Sequence, residues 1–389
     1  MAAGISGESL LRRFSPFRAC LTPDFYQRAV APEGSAALMR NPLPQTLDSL
    51  PFTLRTTRPS RGCAVIHISG GNTSTSPYPF TVLSARMCTE LRALLETIAK
   101  TDASISTIAL VGEGRGFLVA PQLSFLSKLC VGQAQLALSE DADDAPMAGD
   151  DQQPSLAERT RDYTDAFHAF IGLYASLNAA SREEYLSSVD RLRARLLFAP
   201  AGVEQYPDGY ATYVHTYCDR LVAKAPWHFS SQLIVVGVNG MAFGLGTHIA
   251  RSADVAFGNQ HTAWDCPPET RALFVENPSL EFEKQTESTR FATLFPETFL
   301  SEIHRSVVRR RLCGQLRQMA PPNPQVVGPD PPGDISFLSA QELRTVGEIV
   351  DDSIPPNGFV SGVISLATRI AALGQPRVHK LKRYLRGIV

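Results

Sequence analysis

The sequence predicts an α/β fold, a core of strand and helix units followed by a helical C-terminal region. Three observations predict it. Short apolar, β-branched runs recur at residues 63–68, 105–111 and 233–238, the pattern of buried strands. The second and third of these runs leave through glycine-rich segments. Between them, and almost exclusively beyond residue 299, apolar residues repeat at helical spacing.

Composition sets the outer bounds. The 389 residues suffice for one large domain or two small ones. A hydrophobic share of 44% with net charge −1 is that of a soluble globular protein and gives no electrostatic reason to expect nucleic acid or a membrane surface. No apolar run approaches the roughly 18–20 residues of a membrane-spanning helix. Seven scattered cysteines, none in a CxxC pair, argue against a zinc site or a redox dithiol and suit a reducing compartment.

In chain order, residues 1–60 read as a leader and linker. Arg12, Arg13, Arg18, Arg28 and Arg40 stand among serines with few acids, and the stretch SLLRRFSPFRACL would form a short basic amphipathic helix. That composition fits a mitochondrial transit peptide, although Glu8 runs against it; the alternative is an unstructured leader, with a cytoplasmic location. Residues 61–319 form the core. Its first strand is 63–68. Ser84 then opens a helix carrying Met87, Leu91, Leu94, Leu95 and Ile98 on one face. The strand 105–111 exits through Gly112-Glu113-Gly114-Arg115-Gly116, and residues 123–129 read as a short helix.

Residues 131–205 read as an insertion. Its segment SEDADDAPMAGDD holds six acids in thirteen residues and belongs in a solvated loop. Two helices follow. The first carries Leu156, Tyr163, Phe167, Phe170, Ile171, Tyr174 and Leu177; the second opens on a Ser181/Glu184 capping box. Their apolar faces need cover, either from the core or from a protein partner. Residues 210–224 read as a helix feeding the strand 233–238. The glycines Gly240, Gly244 and Gly246 then lead to a helix starting near Thr247. A ligand against helix N–H groups or a tight turn would each explain them. Residues 299–316 form a helix, 320–334 a Pro-rich linker, and 335–389 the C-terminal helical part of the same fold. The basic tail RVHKLKRYLRGIV reads as an amphipathic helix with a solvated face over a packed stripe.

Three stretches, in order, resemble the crotonase (enoyl-CoA hydratase/isomerase) superfamily. They are TVLSARMCTELRALLETIAKTDASISTIALVGEGRGFLVAPQL, LIVVGVNGMAFGLGTHIARSADVAF and SAQELRTVGEIVDDSIPP. The resemblance implies a spiral of ββα units with a helical C-terminal region, here carrying a helical-hairpin insertion. It implies a coenzyme A thioester as ligand, with no metal and no separate cofactor, and a homo-oligomer. Two backbone N–H groups would bind the thioester oxygen as charge develops on it. The family positions for those donors fall at Pro121 and Leu245, with Val119, Gln122, Gly244 and Gly246 lining the thioester.

The layout is most similar to the 3-hydroxyisobutyryl-CoA hydrolase branch. PPETRALFVEN matches its Pro-Glu-Thr stretch, which places the catalytic glutamate at Glu269 and the second acid position at Asn277 or, one residue earlier, Glu276. The sequence also departs from the pattern. Proline at 121 has no N–H, which removes one donor, a loss worth about 10²–10³ in rate. Leu245 keeps its N–H but brings a side chain. The hydratase glutamate position is His248, either a general base or a structural histidine. These departures lead to the expectation of an acyl-CoA-binding scaffold with catalysis weakened or lost. An active short-chain 3-hydroxyacyl-CoA hydrolase is the alternative, and RNA binding through Arg309-Arg310-Arg311 and the basic tail the third reading. No nucleotide-binding glycine motif, nucleophile elbow or paired-His metal motif is present.

Overall fold

The computed structural model describes residues 52–70, 81, 83–114, 116–119, 169–177, 179, 181–197, 215–216, 218–219, 222, 231–266, 287–319 and 336–387. They form a mixed α/β structure with two sheets and a helical C-terminal region.

The first sheet begins earlier than the sequence predicts. Residues 52–60, assigned above to the leader, form β1 (Phe52–Ser60), which folds back antiparallel on β2 (Cys63–Gly70). Threonines at 53, 56 and 57 favour the extended backbone there, but an exposed edge strand needs no continuous apolar run, so it carries little periodic signal. After α1 (Ala85–Thr101) come β3 (Thr107–Glu113) and β4 (Gly116–Val119). Then follow α2 (Arg182–Leu197), β5 (Leu233–Val238), β6 (Met241–Phe243), α3 (Leu245–Ser252), β7 (Val255–Gly258) and β8 (Ala263–Cys266). The C-terminal region comprises α4 (Glu287–Leu294), α5 (Thr298–Met319), β9 (Ser336–Ser339), α6 (Ala340–Thr345), a 3₁₀ turn at Pro356–Gly358, α7 (Phe359–Ala371) and α8 (Gln375–Arg386).

The strand order explains the repeated strand–strand unit. The larger sheet runs β1-β2-β3-β5-β7 and the smaller β4-β6-β8-β9. Each of the successive pairs β3/β4, β5/β6 and β7/β8 therefore gives its first strand to the larger sheet and its second to the smaller. Parallel strands buried on both faces read as unbroken apolar runs, which is why β2, β3 and β5 are visible in the sequence. Strands of three or four residues, such as β4, β6, β7 and β8, are too short to show a period.

The two faces of the larger sheet carry two cores. Ala64, Ile66 and Ile68 of β2 point into a cluster with Met87, Leu91 and Leu95 of α1, Ile249 of α3 and Trp264 of β8. Cys63 and Val65 point the other way, into a cluster with Val363, Ala367 and Ile370 of α7 and Val378 and Leu381 of α8. Gly237 in the middle of β5 follows from that second contact, because a Cβ there would lie 3.0 Å from both methyl carbons of Val363.

The described part of the insertion covers its apolar face on the core. Phe170, Ile171, Leu173, Leu177, Tyr185 and Val189 all join the first cluster. The Glu184 N–H donates to Ser181 Oγ, the first half of the expected cap. The acidic segment 139–151 and the helix at 123–129 lie outside the described residues. So does most of 210–224, of which His215, Thr216, Cys218, Asp219 and Val222 are helical.

The tail helix α8 is locked to the core by ions as well as apolar contacts. Asp254, fully buried between α3 and β7, accepts from Ile234 N–H at 2.7 Å and from Arg386 Nε at 2.6 Å. Lys382 Nζ lies 3.5 Å from the same carboxylate and donates to the Gln232 carbonyl at 2.8 Å. Burial alone would raise the Asp254 carboxyl, but Arg386, Lys382 and the Ile234 amide hold it below the usual carboxylate range. Lys382 is itself pushed down by burial, against the pull of Asp254. The solvated face of α8 carries His379, Lys380 and Arg383. Among the described residues no single helix is long and apolar enough to cross a membrane.

Candidate functional site

Two chain exits meet beside the N-terminus of α3. β4 and β6 run parallel in the smaller sheet, with Val119 paired to Phe243. β6 passes into α3 through Gly244, whose φ of +58° lies in the left-handed region that favours glycine. The helix begins at Leu245, two residues before the predicted start, and the glycine-rich exit contains the short strand β6. Gly246 has its own reason. A Cβ there would lie 1.9 Å from the Leu118 carbonyl oxygen, so β4 approaches α3 as closely as bare backbone allows.

A polar ladder fixes the exits of the larger sheet beside them. Asn239 Nδ2 donates to the Gly114 carbonyl at the end of β3. Asn259 Nδ2 donates to Asn239 Oδ1 at 2.6 Å. The Asn259 N–H donates to Thr262 Oγ1 at 2.8 Å, and Thr262 Oγ1 donates to the Val238 carbonyl. The ends of β3, β5 and β7 are thereby tied to one another.

The amides at the start of α3 are partly spoken for. The Gly244 N–H donates to Asp265 Oδ1 at 2.9 Å, and the Thr247 hydroxyl donates to the same oxygen. Asp265 thus supplies a negative charge at the positive end of the helix. Its half-buried position pushes the carboxyl up to about 6; Thr247, the Gly244 N–H and Arg251 counter that rise without cancelling it. Arg251 at the far end of α3 is held by Glu348, with Nε 3.0 Å from Oε1.

The other side chains around this helix have settled positions. Leu245 is 4% exposed and belongs to the first core cluster. Its side chain is part of the core packing while its N–H stands in the first turn of α3. His248 is half-buried, its ring edge-on to Tyr174 of the insertion at 6.4 Å. The insertion therefore reaches the neighbourhood of α3. Trp264 on β8 is buried, and its Nε1 has no acceptor among the described residues.

The structure thus brings together Val119, Gly244, Leu245, Gly246 and His248 from the predicted set. Pro121 and Gln122, together with Glu269, Glu276 and Asn277, lie outside the described residues. Sequence reasoning missed Asp265. Its signal was faint, a lone acid in the apolar stretch Ala263-Trp264-Asp265 just before the Pro-Pro-Glu-Thr motif. Among the described residues no group of three or more His, Cys, Asp or Glu could hold a metal ion. Cys63, Cys88, Cys218 and Cys313 are buried and form no disulfide, and burial pushes the Cys63 thiol up to about 11, far from a reactive thiolate.

No protein-family model matches the chain, and no curated protein sequence matches it significantly. Solved structures give weak similarities over most of its length. An enoyl-CoA hydratase from Bacillus halodurans is 12% identical, covering 86% of this chain and 86% of its own, with a TM-score of 0.41. An enoyl-CoA hydratase/isomerase from Pseudoalteromonas atlantica is 13% identical, covering 86% and 83%, with a TM-score of 0.38. A monofunctional enoyl-CoA isomerase from M. smegmatis is 13% identical, covering 86% and 92%, also at 0.38.

Proposed function

We propose that the chain binds an acyl-CoA thioester at the N-terminus of α3, in a crotonase-like frame closest in layout to 3-hydroxyisobutyryl-CoA hydrolase, and that its catalysis is weakened or lost. The observation that carries this reading is the side-by-side exit of β4 and β6, with the Leu118 carbonyl against Gly246. That approach sets the end of β4 against the first turn of α3. A thioester oxygen accepting from the Leu245 N–H would sit at the positive end of the helix.

The same residues argue for weak chemistry. Pro121 cannot donate to an oxyanion. The position at which a hydratase carries a carboxylate is His248. Above pH about 6 the Asp265 carboxylate adds negative charge where an oxyanion needs a positive field. Binding of the thioester is then the working role.

The test is calorimetric binding of coenzyme A and short 3-hydroxyacyl-CoA thioesters to the full chain, alongside thiol release measured on wild type and Glu269→Ala. Binding with no thiol release above that of the variant is the expected result. Release that disappears in Glu269→Ala would instead establish the active hydrolase. A folded protein that binds none of these ligands sinks both readings.

A further inference from the structure

A second group of reactive side chains lies on the opposite face of the larger sheet from α3. His67 of β2 is 5% exposed and shares the face of Cys63 and Val65, which pack under α7. Its Nδ1 lies 2.7 Å from Glu113 Oε1 at the end of β3. Its Nε2 lies 2.8 Å from Thr57 Oγ1 on β1. Arg55, paired with His67 across the β1–β2 register, donates to the same Glu113 oxygen at 3.0 Å and fixes the carboxylate in place.

The chemistry of the partners sets the protons. An ionised carboxylate only accepts, so Nδ1 carries the hydrogen of the neutral ring. Nε2 is then a lone pair, and the Thr57 hydroxyl donates to it. This hydroxyl–imidazole–carboxylate chain is the arrangement that activates an alcohol as a nucleophile by general base. Thr57 is only partly buried, on a strand that has no second neighbour among the described residues. The outer edge of such a strand presents backbone N–H groups that could polarise a carbonyl beside the hydroxyl.

We propose that Thr57, His67 and Glu113 form an acyl-accepting site, separate from the helix N-terminus, for a small activated ester or thioester. In the step, Thr57 Oγ1 attacks the acyl carbon and its proton passes to His67 Nε2. The bond from the acyl carbon to the leaving oxygen or sulfur breaks, and the leaving group takes that proton or departs as the anion. An ester on Thr57 and a free alcohol or thiol remain. Glu113 is a positioning residue that holds the ring with Nε2 toward Thr57.

The full chain would be incubated with p-nitrophenyl acetate while nitrophenol release is followed optically and the acyl site is located by peptide mass spectrometry. The expected result is one acetyl group per chain, on Thr57, formed in a burst. Thr57→Val removes the nucleophile and should abolish both the burst and the acetyl group at that position, whereas Thr57→Ser should retain them. Because Thr57 sits on an edge strand and valine preserves its shape, that variant keeps the fold, which circular dichroism would verify. His67→Gln should slow the burst on the order of 10²-fold or more, the scale of general-base assistance, but the buried ring makes Thr57→Val the deciding variant. An equal burst in Thr57→Val, acetylation on another residue, or no burst in wild type would each overturn the proposal.

Discussion

At the residue scale, two positions around α3 make sharp predictions. Gly246 is glycine because the Leu118 carbonyl leaves no room for a Cβ. Gly246→Ala must push β4 and α3 apart and should cost about 1–3 kcal/mol or more, read as a lower midpoint in urea. At Gly114 a Cβ would meet nothing within 4 Å, so Gly114→Ala would test only its φ of +109° and should cost less. Asp265 has its folded pKa raised from 3.8 to about 6, so the folded state binds more protons than the unfolded state between those values. Stability from this residue is therefore fully present below pH about 4 and is lost as pH rises through about 6. Asp265→Asn keeps an oxygen for the Gly244 N–H and removes the ionisation. The variant should be more stable than wild type at pH 7, with the difference shrinking toward pH 4 in paired melts.

At the element scale, α8 is the clearest case of a helix held by something its own pattern does not show. Its stripe Val378, Leu381 and Leu385 is legible at helical spacing, but Lys382 on that stripe is not expected to be buried. It is buried because Asp254, far earlier in the chain, is there to meet it. Removing one partner of a buried pair leaves an uncompensated charge, so Asp254→Asn should cost about 3–5 kcal/mol. The double variant Asp254→Asn with Lys382→Met should recover part of that loss, measured by denaturant titration. Because the Asp254 carboxyl is held below its ordinary range, its contribution is present above that range and is lost as pH falls through the depressed folded value. The Arg386 guanidinium also donates to the carbonyls of Leu177 and Ser252, so one side chain ties the tail to both the insertion and the end of α3.

At the scale of the whole molecule, β2, β3 and β5 sit between two apolar clusters and should be the slowest segments in hydrogen exchange. The edge strand β1 should exchange faster, and an exchange map with β1 as protected as β3 would contradict this layering. The sequence alone determined the elements whose cause is local or whose burial is two-sided. Unbroken apolar runs marked β2, β3 and β5; Ser84 marked the start of α1, where it accepts from the Met87 N–H; helical spacing marked α5 and α7. It also marked Gly244 and Gly246 as special without saying why. Tertiary structure alone decided the rest. β1 needed β2 to pair with, and β4, β6 and β8 needed one another, because strands so short or so exposed carry no period of their own. Asp265 drew its raised pKa from desolvation beside α3, and Thr57, His67 and Glu113 became one hydrogen-bonded chain only when three strands were laid side by side. The physical reason is range: backbone preference and periodicity act over a few residues, whereas desolvation, charge pairing and steric exclusion depend on what the fold brings from far along the chain.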